Sequence, residues 1–148
     1  MSAVTYVKHY HAGFYGLSAA EQAFNEAHWL SRLYACDGFP KLFKCSLTSI
    51  TMTYCGEHVD SATIPDDAEA QVERLAEDLA AANCFHRDIW HDNILVLDGR
   101  LYLIDFVWAT WLSMPATPPD DAPHIGSLPD RQALADEVAR WRAGLFGR

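Results

Sequence analysis

The chain has 148 residues, of which 50% are hydrophobic and 21% charged, which excludes a disordered acidic tail and predicts one globular domain with its own core. Its 11 Lys and Arg residues stand against 20 Asp and Glu residues, for a net charge of -9, which argues against nucleic-acid binding. No stretch without charged residues reaches the roughly 18 to 20 residues of a membrane span. The N-terminus lacks the organisation of a signal peptide, so we expect a cytoplasmic protein.

The four cysteines occur at positions 36, 45, 55 and 84, with spacings of 9, 10 and 29. None of them forms the CxxC pair that is typical of zinc sites and redox couples. We therefore predict four buried thiols.

The first part of the chain predicts a strand followed by a helix. Val4–Tyr10 is rich in β-branched and aromatic residues, which is the composition of a strand. Ser18 and Glu21 have the spacing of a capping box, and apolar residues then recur at helical intervals up to Asp37-Gly38. The sequence thus predicts a helix from residue 18 to this stop signal.

Two short strands and two further helices are predicted after this point. The apolar runs at 42–45 and 49–54 resemble a strand pair, and the acidic, alanine-rich stretch 65–83 has one apolar helical face. Residues 114–129 hold several prolines, which predicts an irregular connection. Pro129 then opens a last helix, whose apolar stripe contains Leu134, Val138, Trp141 and Leu145.

Polar side chains surround the strongest hairpin signal in the chain. Two apolar runs, 94–97 and 101–104, are joined by Asp98-Gly99, a dipeptide typical of tight hairpins. Asp88 and Asn93 precede the hairpin, and Asp105 ends it, so hairpin geometry returns Asp105 towards Asn93. Oxygen ligands of this kind suit Mg²⁺.

The segment HRDIWHDN, followed by IDF, resembles the catalytic loop and metal-binding segment of the protein-kinase-like fold. The resemblance continues upstream, where Lys8 in TYVK resembles the strand lysine that pairs with nucleotide phosphates. Glu26 in NEAHWLSRL matches the helix glutamate that orients this lysine. Phe39-Pro40 and residues 50–57 (ITMTYCGE) are similar to the strand pair and the hinge that receives adenine.

The resemblance implies an α+β fold with two reduced lobes in a single domain, 1–148. The small β-rich N-lobe covers about residues 1–57 and lacks the Gly-rich loop, and the small helical C-lobe with the catalytic hairpin covers about 58–148. It further implies a phosphotransferase that depends on ATP and Mg²⁺. No APE-like element follows the hairpin, so the expected acceptor is a small-molecule or glycan hydroxyl, as in the small-molecule and sugar kinases of this superfamily.

The same resemblance implies the roles of single residues. The implied catalytic residues are Lys8, Glu26, Asp88 and Asn93. The implied Mg²⁺ ligands are Asn93 and Asp105. The implied nucleotide-binding residues are Lys8, Tyr54, Cys55 and Glu57. In this scheme Asp88 accepts or orients the proton of the acceptor hydroxyl, whereas His86 bonds the backbone.

Besides the missing APE-like element, a second departure from the family pattern lies at the start of the chain. Only seven residues precede Lys8, so the phosphate lid is expected to be missing, and a pseudokinase scaffold is the main alternative. A third hypothesis assigns His86, Asp88 and His91 to a transition metal. The first strand is also expected to be an open sheet edge, where Tyr6, Val7 and Tyr10 either pack in the core or form a homodimer interface.

Overall fold

A computed structural model describes residues 4–14, 16–110 and 128–147. The elements are, in chain order, β1 (Thr5–His9), α1 (Ala19–Arg32), β2 (Leu42–Cys45), β3 (Ser49–Thr53), β4 (Glu57–His58), α2 (Ala68–Ala81), a 3-10 helix (His91–Asn93), β5 (Ile94–Leu97), β6 (Arg100–Leu103) and α3 (Asp130–Arg142). The predicted irregular connection at 114–129 lies, up to residue 127, outside the described residues. None of the helices in the described ranges is long and apolar enough to cross a membrane.

The strands form two small antiparallel sheets. In the first sheet the order is β1-β3-β2, so β3 is central and β1 is an edge strand. The second sheet has the order β4-β5-β6, and its β5–β6 hairpin turns at Asp98 and Gly99 as predicted. Both turn residues have positive φ, +50° and +78°, which is the backbone of the type I′ turn favoured by right-twisted strands.

Helix α1 begins as predicted but ends earlier than its stop signal. Ser18 and Glu21 form the complete capping box. The last helical residue is Arg32, and not a residue next to Asp37-Gly38, because the following turn uses i to i-3 bonds. The ammonium group of Lys41 also binds the carbonyl oxygens of this turn, and these contacts stabilise the chain reversal there.

The core lies between the helices and the inner faces of both sheets. Its largest fully buried side chains include Phe39, Leu30, Ile50 and Phe106. Helix α3 packs on α2 and buries Leu134, Val138 and Trp141, as its apolar stripe predicts. The prediction for Leu145 is wrong, since this residue lies beyond the end of α3 and is exposed.

The prediction of four buried thiols is also wrong in part. Cys55 and Cys84 are buried, Cys36 is half-buried and Cys45 is exposed. Cys45 ends β2, an edge strand of the first sheet that is largely exposed. All four thiols are free.

Candidate active site

A lysine from β1 meets two carboxylates from distant parts of the chain. Lys8 Nζ lies 2.8 Å from Glu26 Oε1 and 3.3 Å from Asp105 Oδ1. Burial by itself lowers the pKa of Lys8, but the charges and hydrogen bonds of Glu26 and Asp105 outweigh it, so the pKa is raised overall. Lys8 therefore remains a cation at neutral pH, although only a quarter of its side chain is exposed.

Glu26 is the buried centre of this cluster, with 1% of its surface exposed. Its Oε1 accepts hydrogen bonds from Lys8 and from the hydroxyl of Tyr10, and its Oε2 accepts one from the backbone N–H of Phe106. A buried carboxylate needs such donors to compensate for lost hydration. Tyr10 reaches Glu26 because it lies two residues after Lys8, on the same face of the extended chain.

The role of Tyr10 differs from that of its neighbours on β1. Tyr10 is buried, whereas Tyr6 and Val7 are exposed, so Tyr10 belongs to the interior and not to the open edge. Burial and the nearby Glu26 carboxylate raise the pKa of Tyr10 well above its ordinary value, so it remains a hydrogen-bond donor. The sequence analysis missed this contact, because the strand pattern does not reveal which helix residue faces a tyrosine.

Asp88 and Asn93 are linked directly. The side-chain amide of Asn93 donates to the backbone oxygen of Asp88 at 2.8 Å and to its Oδ2 at 3.2 Å. Because the NH₂ end of the amide is used in this way, Oδ1 of Asn93 is the end that is left to accept or to bind a cation. The backbone oxygen of Asn93 accepts from the N–H of Ile104 at 2.9 Å, which brings Asn93 next to the residue that precedes Asp105.

Two residues of the site have an unusual backbone. Asp105 has φ +66° and Arg87 has φ +75°, in the left-handed region that costs a non-glycine residue about 1–3 kcal/mol. Such conformations persist only where surrounding contacts impose them, and they are concentrated at functional sites. Here they lie at the two segments that supply the predicted site aspartates, Asp88 and Asp105.

Side chains hold the backbone of residues 86–93, which resemble a catalytic loop and are here called the catalytic-loop segment. His86 is fully buried; its Nε2 bonds the oxygen of Ile104 at 2.8 Å, and its Nδ1 accepts from the N–H of Asp88 at 3.2 Å. Its ring thus bonds the backbone, as predicted. Asp130 at the start of α3 accepts from the N–H groups of His86 at 2.7 Å and Arg87 at 3.1 Å. Sequence analysis missed Asp130, which lies more than forty residues from its partners.

A cavity of about 410 Å³ lies beside this cluster. Its lining residues are Tyr6, Lys8, Glu26, Pro40, Met52, Thr53, Tyr54, Cys55, Gly56, Glu57, His58, Leu95, Ile104 and Asp105. The predicted nucleotide-binding residues Tyr54, Cys55 and Glu57 are thus in the lining, within the hinge segment (residues 54–57). The volume is within the range of about 300–1,000 Å³ that small-molecule sites occupy.

The hinge segment approaches the second sheet closely. Gly56 has φ +99°, and a Cβ atom at this position would lie 1.9 Å from the backbone oxygen of Val96 on β5. Only glycine permits this approach without a backbone shift. Burial raises the pKa of the neighbouring Cys55 thiol to about 11, so this cavity residue is protonated at neutral pH.

The donor set fits a hard cation better than a transition metal. Asp105 and Asn93 offer oxygen atoms, and Mg²⁺ commonly uses one or two protein oxygens together with substrate phosphates. The hypothesis of a transition-metal site is not supported, because both ring nitrogens of His86 are in hydrogen bonds and Nδ1 of His91 accepts from Trp141 at 3.2 Å. The described residues contain no group of three His, Cys, Asp or Glu side chains suited to a metal ion.

Comparison with known proteins gives a fold but no sequence family. Neither a protein-family model nor a curated protein sequence matches the chain. Among solved structures, it is similar to a kinase of the Cydia pomonella granulovirus, PK-1, with a TM-score of 0.62 and 13% sequence identity. The fold is kinase-like. The similarity covers 93% of this chain and 58% of the viral kinase chain, so this chain spans a little over half the length of that structure.

Proposed function

We propose that this protein is a phosphotransferase that uses ATP and Mg²⁺ and transfers the γ-phosphoryl group to a hydroxyl of a small molecule or glycan. The observation on which this proposal rests is the cluster of Lys8, Glu26 and Asp105 at a cavity that extends to the hinge segment. The kinase-like fold supports phosphoryl transfer in general terms. In this proposal the boundary between the two lobes would lie between the sheets, since the first sheet ends at Thr53 and the second begins at Glu57.

Lys8 from β1, oriented by Glu26 from α1, would bind the nucleotide phosphates. Lys8 is cationic and already oriented by Glu26, so little reorganisation is needed when it meets an anionic group. Asp105 and Asn93 would hold Mg²⁺ through oxygen atoms. When bound, the metal nucleotide supplies the transferable phosphoryl group and the countercharge for the phosphates.

Asp88 would orient the acceptor. Its Oδ2 is fixed by the Asn93 amide, and its N–H is fixed by His86, so the carboxylate has a defined direction. In this role it would accept or orient the proton of the attacking hydroxyl, a function that typically contributes about 100- to 10,000-fold in rate. The hinge residues Tyr54, Cys55 and Glu57 would surround the base of the nucleotide.

Calorimetric titration with ATP, with and without millimolar Mg²⁺, tests the proposal. We expect binding that depends on Mg²⁺ and that is lost in Asp105→Asn. Asp98→Asn is the matched control, because Asp98 also has positive φ, +50°, but lies in the exposed hairpin turn. Absence of heat for the wild-type protein, or equal loss in both variants, would reject the metal assignment.

Measurements of both nucleotide affinity and turnover distinguish a catalytic role from a binding role. Asp88→Asn is expected to retain nucleotide affinity while losing at least about 100-fold in turnover with an acceptor found by screening sugars and amino alcohols. The scaffold alternative has one observation in its favour, the contact of Lys8 with Asp105, which pairs both charges without a ligand. It predicts a folded wild-type protein without any acceptor-dependent turnover.

The open edge of β1 leads to a second proposal, a homodimer. The N–H of Tyr54 donates to the oxygen of Val4, and the N–H of Tyr10 donates to the oxygen of Thr48. Hydrogen-bonded pairs alternate along an antiparallel ladder, so the even-numbered residues of β1 bond β3. The odd-numbered residues direct their N–H and C=O groups away from the sheet, where the described residues provide no strand partner.

A two-fold arrangement with Val7 on the axis would place Tyr6 opposite Lys8 of a second copy and Thr5 opposite His9. No like charges would face each other in this register, and the exposed Tyr6 and Val7 side chains would become covered. Sedimentation at micromolar concentration is expected to show a dimer, and Val7→Lys is expected to dissociate it. A monodisperse monomer at about 100 micromolar would reject the dimer.

A further inference from the structure

Helix α1 contacts the segment that follows Asp105, here called the 106–109 segment. Nδ2 of Asn25 lies 3.2 Å from the backbone oxygen of Phe106, 2.9 Å from that of Val107 and 3.1 Å from that of Ala109. Nε1 of Trp29 donates to the oxygen of Ala109 at 3.2 Å. An amide nitrogen has only two hydrogens, so the three carbonyl groups share them.

These contacts take the place of strand pairing, because the 106–109 segment does not belong to a strand. Before the segment, β6 ends at Leu103, and after it Thr110 pairs with Phe85 in an antiparallel bridge with N–O distances of 2.7 and 2.9 Å. The segment between them is buried at Phe106, Val107 and Ala109. Buried backbone groups need partners, and here the side chains of α1 provide them.

One buried carbonyl oxygen of the 106–109 segment depends on Asn25 for its hydrogen bond. The N–H of Phe106 donates to Glu26 Oε2. Among the described residues, the hydrogen bond to the oxygen of Val107 comes from Asn25, whereas the oxygen of Ala109 has Trp29 as a second donor. Asn25 and Glu26 are neighbours in sequence, so one turn of α1 binds one backbone donor and three backbone acceptors of this segment.

We propose that Asn25 is a positioning residue for Asp105. Asp105 has φ +66°, a conformation that the chain on either side must impose. By holding the 106–109 segment against α1, Asn25 keeps the Asp105 carboxylate beside Lys8, at 3.3 Å. The metal-binding part of this inference rests on the proposed function, whereas the positioning of the backbone does not.

The same helix offers a matched control. Gln22 is buried, and its Nε2 lies 2.8 Å from the oxygen of His11, 3.5 Å from that of Leu17 and 3.3 Å from that of Ser18. Gln22 thus has the same chemistry as Asn25 but holds the loop before α1. Asn25→Asp and Gln22→Glu each replace an NH₂ group by oxygen opposite three carbonyl groups with almost no change of volume.

Hydrogen exchange of the protein without ligands tests the positioning role. In Asn25→Asp we expect the amides of residues 106–110 to exchange at least about tenfold faster, the effect of losing one buried hydrogen bond. In Gln22→Glu the acceleration should be confined to residues 11–18. Trp29→Phe, which removes one donor to Ala109, should accelerate the same peptide as Asn25→Asp but less. If Asn25→Asp fails to fold, Asn25→Ala is the test, because it removes the amide without placing an oxygen atom opposite the carbonyl groups. Unchanged exchange at 106–110 in folded variants would overturn the proposal.

Magnesium dependence provides the second measurement. Asn25→Asp should raise the Mg²⁺ concentration for half-maximal ATP binding at least about tenfold, with unchanged ATP affinity in the absence of Mg²⁺. Gln22→Glu should leave the Mg²⁺ dependence as in the wild type, and an equal shift in both variants would contradict a specific role for Asn25. A wild-type protein that does not bind Mg-ATP would reject the proposed function, while hydrogen exchange would still decide the positioning of the 106–109 segment.

Discussion

The two halves of the candidate site are held together in different ways. In the half formed by β1 and α1, charged side chains hold each other, as in the buried pair of Lys8 and Glu26. In the half formed by residues 86–93, side chains hold the backbone, since Asp130 binds the N–H groups of His86 and Arg87. The first half concentrates its stabilisation in one charge pair around the buried Glu26, and the second distributes it over hydrogen bonds.

This difference has consequences for sensitivity to mutation. Removing the buried Glu26 carboxylate takes an acceptor from three donors, one of them the charged Lys8, and this costs more than the loss of hydrogen bonds between a side chain and the backbone. We therefore expect the β1–α1 half to respond most strongly to single substitutions. Substitutions in each half and at the hinge segment test this difference, and a surface pair outside the site gives the smallest expected effect.

The largest expected effect is that of Glu26→Ala. It leaves Lys8 with Asp105 alone and removes the acceptor of Tyr10 and of the Phe106 N–H. We expect a loss of about 3–5 kcal/mol in the free energy of unfolding, measured by urea denaturation. The control is Glu21→Ala on the same helix, an exposed capping-box residue, for which about 1 kcal/mol or less is expected. Equal losses in both variants would contradict a buried ion pair.

The corresponding substitution in the other half is Asp130→Ala. Two backbone N–H groups lose a charged acceptor, so the free energy of unfolding should fall by about 2–4 kcal/mol. Asp136→Ala, on the same helix and in an exposed hydrogen bond with Gln132, should cost less than about 0.5 kcal/mol. A larger loss for Asp130→Ala than for Glu26→Ala would reverse the comparison of the two halves.

Gly56→Ala tests the junction between the hinge segment and the second sheet. The new Cβ atom would meet the oxygen of Val96, in a conformation with φ +99°. We therefore expect the free energy of unfolding to fall by about 2–3 kcal/mol. We also expect a weaker affinity for adenine nucleotides, because Gly56 lies in the cavity lining. Gly99→Ala has similar backbone strain, with φ +78°, but nothing within 4 Å of the added Cβ, and should cost about 1 kcal/mol. Equal losses of unfolding free energy in the two variants would contradict a steric clash between the new Cβ atom and Val96.

The smallest effect concerns a surface pair outside the site. Hydrogen bonds from Arg142 at 2.8 Å hold the pKa of Glu69 down at about 2, compared with an ordinary value of 4.5. A depressed pKa means that the stabilisation is present above pH 4.5 and is lost as the pH falls towards 2. The urea midpoints of the wild type and Glu69→Gln should therefore differ slightly at pH 6 and converge near pH 2. A difference that persists at pH 2 would contradict this pairing.

Much of the fold could be predicted because its signals are local. The capping box at Ser18, the Asp98-Gly99 turn and the apolar stripe of α3 each depend on a few neighbouring residues. The structure confirms the first two, and it confirms the stripe except for Leu145. The candidate site was predicted through a motif with fixed spacing. The structure places Lys8 within hydrogen-bond distance of both Glu26 and Asp105, and it links Asp88 to Asn93; the roles of these residues remain predictions.

Other features could not be found in this way. Tyr10, Asn25 and Asp130 have no sequence pattern that distinguishes them from an ordinary strand, helix or cap residue. Asn25 binds residues more than 80 positions away, and Asp130 binds residues more than 40 positions away. The exposure of Cys45 likewise depends on β2 being an edge strand, which composition does not show.

The sequence by itself determined the type of the three helices and of five of the six strands, and the set of charged residues available to a site; the short strand β4 and the 3-10 helix were not predicted. These properties follow from local turn chemistry and from the period of the apolar residues, which depend on a short stretch of chain. Only the tertiary structure decided which buried polar groups meet, because a buried donor takes whatever acceptor the packing of distant segments brings within about 3 Å. The bonds of Asn25 to the 106–109 segment and of Asp130 to the catalytic-loop segment arise in this way.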